Sequence, residues 1–278
     1  MFENDIRYPV VAGSFYPSSS KTLFQMIIDF LNKADKQNLD NIIGLVSPHA
    51  GYIYSGEVAA YSFKQIEDRH YDSIFIIAPT HSEYFDFCSV FNGKAYQTPL
   101  GVVEIDTDRV NRLVSEDSYK DYIILSDSGH RQEHSLEVQL PFLQTVLKEF
   151  RIVPIVMGSQ NKKNIESLGN AIGTIFKDEN ILIIASTDLS HYHSYNMASI
   201  LDSKVVDFIK NFDAPSFISA VNSERVEMCG GGPTASVMIA SKLLGATKSK
   251  VLCYKNSGDV TGDKSAVVGY LSAVFYKE

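Results

Sequence analysis

Two histidines directly follow apolar runs, a placement typical of a ligand site in an α/β protein. Residues 42–47 lead through a proline into His49, and residues 74–78 lead through a proline and a threonine into His81. Each run is typical of a buried parallel strand, which a proline ends because it lacks the backbone N–H. Ligands bind at the carboxyl ends of such strands. Since imidazole is the commonest metal ligand in proteins, the two histidines predict a metal site that needs a third group.

Asp188 and Cys229 are both candidates for that third group. Asp188 follows another apolar run, residues 181–186, where a carboxylate either caps the turn or serves the site directly. Cys229 precedes three glycines and a predicted helix. A thiol at a helix N-terminus is expected to have a lowered pKa, although a free cysteine is more often a small buried residue. Residue spacing alone does not decide between the two.

Three further histidines are predicted to have different roles. His191 ends an Asp-x-x-His motif, so it is favoured as a general acid or base, with Asp188 available to orient the ring. His134 opens a helix predicted over residues 134–149, and its side chain could point into the same cleft. His130 lies in polar sequence and is predicted to be a solvated loop residue.

Composition and charge narrow the function classes. The 278 residues carry a formal net charge of −8, which disfavours nucleic acid or an anionic membrane as a partner. We predict no signal peptide and no membrane-spanning segment, because no apolar run approaches the ~20 residues that a span needs. The three cysteines are widely spaced and form no disulfide framework, which favours a reducing cytoplasm.

Helical and strand-like segments alternate along the whole chain without a linker or a low-complexity break. This alternation predicts one α/β domain over residues 1–278, with three αβα layers and a largely parallel central sheet.

Seven sequence segments together resemble the Memo family, in order and over nearly the full chain. They are AGSFY at 12–16, PHAGYIYSG at 48–56, APTH at 78–81, QTPL at 97–100, EHSLE at 133–137, STDLSH at 186–191 and CG at 229–230. The resemblance implies a relation to LigB-type class III extradiol dioxygenases, with a LigB-like αβα fold and a pocket at the strand ends. It also implies a functional link to AMMECR-type and radical SAM proteins.

The same resemblance implies a specific metal-ligand set. His49, His81 and Cys229 would stand where the dioxygenases hold iron with two histidines and a glutamate, and Asp188 and His191 would line the pocket. A thiolate is softer than a carboxylate, so it shifts the metal preference toward copper(I), zinc or thiolate-bound iron. We therefore expect iron(II) or copper as the cofactor, ahead of zinc.

Three functions are consistent with these residues. The first is a metal-dependent oxidoreductase in which His191 transfers protons and Asp188 orients or polarises the His191 ring. The second is a binding module that holds an anionic or aromatic group of a peptide or small molecule with Tyr54, His134 and the helix end at Gly230. The third is a zinc hydrolase.

Overall fold

The computed structural model describes residues 5–278, and its elements alternate as the sequence predicts. The strands are β1 Ile6–Arg7, β2 Ile42–Ser47, β3 Ser73–Pro79, β4 Cys88–Val90, β5 Ala95–Thr98, β6 Gly101–Glu104, β7 Ile123–Leu125, β8 Ile152–Met157, β9 Ile181–Ser186, β10 His191–His193, β11 Lys248–Asn256 and β12 Val267–Tyr276. The helices are α1 Ser20–Lys33, α2 Tyr52–Lys64, α3 Thr107–Val114, α4 His134–Glu137, α5 Leu140–Val146, α6 Lys162–Ile175, α7 Tyr195–Asn211, α8 Ala214–Asn222, α9 Gly231–Leu243 and α10 Ser257–Thr261.

The main sheet has a parallel centre and antiparallel flanks. Its strands lie in the order β10–β12–β2–β9–β3–β8–β4–β7, and β11 adds to β12. β2, β9, β3 and β8 run parallel, whereas β12 and β4 run antiparallel to their inner neighbours. Every residue of β3, β8 and β9 is buried, because α1, α2 and α5 form one helical layer and α6 and α9 form the other. The predicted three-layer α/β fold is confirmed.

The helix predicted over residues 134–149 is wrong in its length. It is two short helices, α4 and α5, separated by Val138 and Gln139. Pro141 stands in the first turn of α5 and has no N–H to donate to the carbonyl of Glu137, so one continuous helix cannot form. The Gln139 side chain donates to the carbonyl of Pro48, directly after β2, and to the hydroxyl of Ser186, the last residue of β9.

His130 is fully buried, so its prediction as a solvated loop residue is wrong. Its Nδ1 lies 2.7 Å from the Tyr96 hydroxyl, and its Nε2 lies 3.0 Å from the carbonyl oxygen of Ser89. The carbonyl only accepts, so Nε2 carries the proton and Nδ1 accepts from Tyr96. Burial lowers the pKa of His130 from 6.5 to about 3, and the ring is neutral.

This buried ring makes the stability of the protein depend on pH. Below pH 6.5 the unfolded chain binds a proton at His130 that the folded chain binds only near pH 3, so stability falls as the pH falls through this window. Between pH 6.5 and pH 5, the unfolding free energy of the native protein should drop by about 1.5 kcal/mol more than that of His130→Gln. Urea denaturation at both pH values measures the difference, and equal drops would contradict the assignment.

Candidate metal centre

His49, His81 and Cys229 converge at the carboxyl edge of the parallel strands. His49 follows β2, His81 follows β3, and Cys229 immediately precedes α9, whose helix packs on β9. One ligand atom from each side chain lies within 4.8 Å of the others, so the three can hold a metal ion. Nε2 of His49 lies 3.1 Å from Sγ of Cys229, and the two imidazole rings are nearly perpendicular with centroids 5.1 Å apart.

Hydrogen bonds fix the tautomer of His49. The Ser186 hydroxyl donates to the carbonyl of Ser135 at 2.6 Å and accepts from the Gln139 amide at 2.9 Å. Its one proton is therefore used, so Nδ1 of His49, 2.9 Å away, must be the donor to this hydroxyl. Burial and the neighbouring His81 and other imidazoles lower the pKa of His49 well below its usual value. The ring is neutral, with the Nε2 lone pair directed toward the thiol.

Glu133 fixes His81 in the same way. Its carboxylate accepts from the His81 backbone N–H at 2.7 Å and from Nδ1 at 2.9 Å, so Nε2 is the ring atom available to a metal. Burial raises the pKa of Glu133, but the bonds from His81 and Ser135 outweigh it and hold that pKa at about 2. Burial likewise opposes protonation of His81, and Glu133 overcomes it, so the pKa of His81 is raised. Glu133 is also the N-cap of α4, because its side chain accepts a hydrogen bond from the Ser135 N–H at 2.9 Å.

Asp188 lies beside the cluster and connects two of its members. Its carboxylate accepts from the His49 backbone N–H at 2.8 Å, and its own backbone N–H donates to Sγ of Cys229 at 3.1 Å. The other carboxylate oxygen lies 4.0 Å from Nε2 of His49. Burial raises the pKa of Asp188 to about 7, although the backbone N–H groups of His49 and Ala50 oppose the shift. Asp188 can therefore both cap the turn and support the candidate site.

The expectation of a lowered pKa for Cys229 is wrong. Burial, together with the charge of Asp188, raises the pKa of the thiol well above its usual value. The first N–H groups of α9 do not offset this effect, because other side chains already use them. The N–H of Gly230 donates to the Thr187 hydroxyl at 2.9 Å, and the N–H of Gly232 donates to the Gln160 side chain at 2.6 Å.

The remaining candidate residues surround the cluster at different depths. The His134 ring lies 4.7 Å from the His81 ring and 5.5 Å from the His49 ring, between centroids. His191 is half-buried on β10, close enough to lower the pKa of His49 further. Tyr54 lies in the first turn of α2, five residues after His49, and is 39% exposed. Gly230 allows close packing, because a Cβ there would lie 2.3 Å from the carbonyl oxygen of Ser186.

A second set of side chains could also hold an ion within residues 5–278. It consists of His81, Glu133 and His134, and it shares His81 with the first set. The Glu133 oxygens already accept hydrogen bonds from the His81 backbone and ring and from Ser135. These bonds make Glu133 a residue that orients His81 more than one that faces a cation.

A buried ion pair supports this side of the site. Arg7 and Glu137 are both buried and form a salt bridge, and Arg7 also donates to the carbonyl of Glu133 at 2.6 Å. Glu137 accepts from the backbone N–H of Val10 at 2.9 Å and from the hydroxyl of Tyr16. The chain between these residues brings Phe15 against His134, with ring centroids 4.8 Å apart.

Comparison with known proteins shows which family this sequence belongs to. A model described as "Memo-like protein" matches residues 7–274. The chain belongs to the Memo family. A MEMO1 family protein of Nitrosopumilus maritimus is 39% identical over 271 residues, which cover 95% of this chain and 98% of the relative. MEMO1 family proteins of Methanobrevibacter smithii and Methanocaldococcus jannaschii are 37% and 39% identical, over 97% and 98% of this chain and 99% of each relative.

Family membership accounts for the presence of the seven motifs in this order. The names of the Memo relatives state no metal, substrate or partner. Within the described part of this Memo protein, no helix combines the length and apolar character that crossing a bilayer requires.

Proposed function

We propose that this Memo-family protein binds an iron or copper ion through His49, His81 and Cys229 and acts as a metal-dependent oxidoreductase. One observation carries the proposal. Both imidazoles have their Nδ1 atoms engaged by polar partners, Ser186 for His49 and Glu133 for His81. Each Nε2 atom is thereby left for a ligand, an arrangement that proteins use to orient metal-binding histidines.

The donor set fits a redox metal of intermediate or soft character. Two imidazoles and one thiolate suit iron, copper or zinc, whereas carboxylate-only sites suit harder ions. The raised pKa of Cys229 lowers the affinity for a metal without preventing binding, because a bound cation deprotonates a coordinating thiol. His49 is buried and Cys229 is partly buried, whereas the His81 side chain is 34% exposed and leaves the site accessible from its own side.

The surrounding residues supply binding and proton transfer. An iron or copper ion held here would supply one-electron redox chemistry and an open coordination position. His191 has a pKa lowered by burial, so its neutral ring can accept a proton at neutral pH. Asp188 holds the backbone of His49 and the sulfur of Cys229 in place. His134, whose ring lies beside those of His49 and His81, and the exposed Tyr54 are the proposed contacts for a ligand.

A binding module that uses the same pocket is the second candidate. Phe15, His134 and the exposed Tyr54 favour an aromatic group of a peptide or small molecule. The helix end at Gly230 supports an anion less well, because its N–H is already used by Thr187. The link to AMMECR-type and radical SAM proteins and the cytoplasmic location stay predictions.

Metal analysis tests the proposal directly. Protein purified without added metal, and the same protein reconstituted anaerobically with iron(II), copper(I) or zinc, should be assayed by mass spectrometry of the elements. We expect about one iron or copper ion per chain, as three converging ligands imply. Oxygen consumption with catechol-type substrates then tests turnover by the loaded protein.

The outcomes separate the three functions. Binding of zinc alone would favour the hydrolase over the oxidoreductase. A protein that takes up no metal under any of these conditions would overturn both, and ligand screening of the metal-free protein would then test the binding module. Binding of iron or copper without any oxygen consumption would count against the dioxygenase-like reaction.

A further inference from the structure

Two short segments, residues 188–191 and 227–229, are joined by hydrogen bonds at both of their ends. At one end, the N–H of Asp188 donates to Sγ of Cys229 at 3.1 Å, and the N–H of Cys229 donates to the carbonyl of Asp188 at 3.2 Å. At the other end, the backbone N–H of His191 donates to the Glu227 carboxylate at 3.0 Å. The two segments and these bonds form a closed ring that contains both Cys229 and His191.

We propose that Glu227 is a positioning residue that sets the place of His191 relative to Cys229. Its second carboxylate oxygen lies 2.8 Å from Nε2 of His193, so the side chain holds β10 at two points, the first and the last residue of the strand. The residue that carries this carboxylate is only two positions before Cys229. A shift of the loop at Cys229 is therefore transmitted to β10 through Glu227.

β10 needs such a support because its own strand pairing is weak. It has three residues, lies at the edge of the main sheet and pairs only with β12, with a register shift between His191 and His193. Its middle residue, Tyr192, has a φ of 62° and is 77% exposed. A tyrosine in the left-handed region is strained and persists only where neighbouring contacts hold it. Glu227 supplies two contacts to β10 beyond those of the strand pairing.

The inner end of the same segment has a separate anchor. The N–H of Ser190 donates to the buried carboxylate of Asp202 at 3.0 Å, and the hydroxyl of Tyr254 donates to that carboxylate at 2.8 Å. Asp202 therefore holds the backbone at Ser190, whereas Glu227 holds the backbone at His191. Loss of Glu227 should therefore release β10 without disturbing the bonds between Asp188 and Cys229.

Chemical modification of His191 tests the inference. Metal-free native protein and the variants Glu227→Ala, Glu227→Gln and His193→Ala should be treated with diethyl pyrocarbonate, and the rate at His191 measured by peptide mass spectrometry. We expect a rate about fivefold higher in Glu227→Ala, because a charge-assisted hydrogen bond is lost. Glu227→Gln keeps an acceptor for the N–H and should restore most of the native rate. His193→Ala removes only the second contact and should change the rate little.

Two further measurements make the test decisive. Cys229 keeps its bonds to Asp188 in Glu227→Ala, so metal uptake by that variant should equal the native value. Amide hydrogen exchange of His191 in the native protein should be protected, and this does not depend on how the variants fold. An unprotected amide, or equal modification rates in Glu227→Ala and native protein, would overturn the inference.

The inference rests on the proton-transfer role proposed for His191, but its test needs no metal. A protein that binds no metal would overturn the proposed function and leave the positioning result intact. Unchanged reactivity of His191 in a metal-binding protein would overturn the positioning alone.

Discussion

Replacing Cys229 with serine is expected to weaken the binding of copper(I) or iron(II) about 100-fold or more, since even residues that only support metal ligands are typically worth roughly 10–100-fold. A serine hydroxyl does not ionise as a thiol does at a metal, and it is a hard ligand where copper(I) prefers sulfur. The two imidazoles would remain in place, because Ser186 and Glu133 orient them independently of Cys229. Competition with a chelator of known affinity measures the change.

A second thiol provides the matched control. Cys253 lies on β11, is free and partly exposed, and contributes to neither group of potential metal ligands in residues 5–278. Cys253→Ser should bind metal as the native protein does. Equal affinities for Cys229→Ser and Cys253→Ser would exclude the thiol as a ligand and leave a site of imidazoles with Asp188 or Glu133.

The sequence predicted the paired histidines well because local rules determine where they lie. An apolar run followed by proline predicts a buried strand and its end, and parallel neighbouring strands bring their ends to one edge. β2 and β3 are such strands, with β9 between them. His49 and His81 therefore meet across the end of β9, where the loop that contains Asp188 begins.

The third candidate ligand and the supporting residues could not be predicted from spacing. Cys229 lies 180 positions after His49, and the packing of α9 on β9 brings it there. Only the family resemblance separated it from Asp188 at the level of sequence. Glu133 has an evident local role as a helix cap, and its bond to His81 depends on the tertiary fold.

The burial of His130 also could not be predicted from its neighbours in sequence. Its neighbours in sequence are polar, whereas its neighbours in space are Ser89, Tyr96 and the side chain of Arg7. The three-residue strand β7 also lacks a recognisable period, because so short a segment gives no periodic signal.

Glu137→Ala is expected to lower the unfolding free energy by about 3–5 kcal/mol, which is typical when one partner of a buried ion pair is removed. Arg7 is 1% exposed, so its charge would remain buried without a compensating carboxylate. The same substitution removes the acceptor for the Tyr16 hydroxyl and for the backbone N–H groups of Val10 and Val11. The buried Tyr16 hydroxyl would then lack its partner, which adds to the cost.

Urea denaturation measures this effect, and a surface pair calibrates it. Lys162 and Glu166 lie one turn apart on α6 with their charged atoms 3.7 Å apart and largely exposed, so Glu166→Ala should cost less than about 1 kcal/mol. A similarly small change for Glu137→Ala would contradict the anchoring role. Arg7 also donates to the carbonyl of Glu133, whose carboxylate orients His81. Glu137→Ala should therefore also weaken metal binding. The stability of the segment from Arg7 to Tyr16 and the orientation of His81 thus depend on the same buried carboxylate.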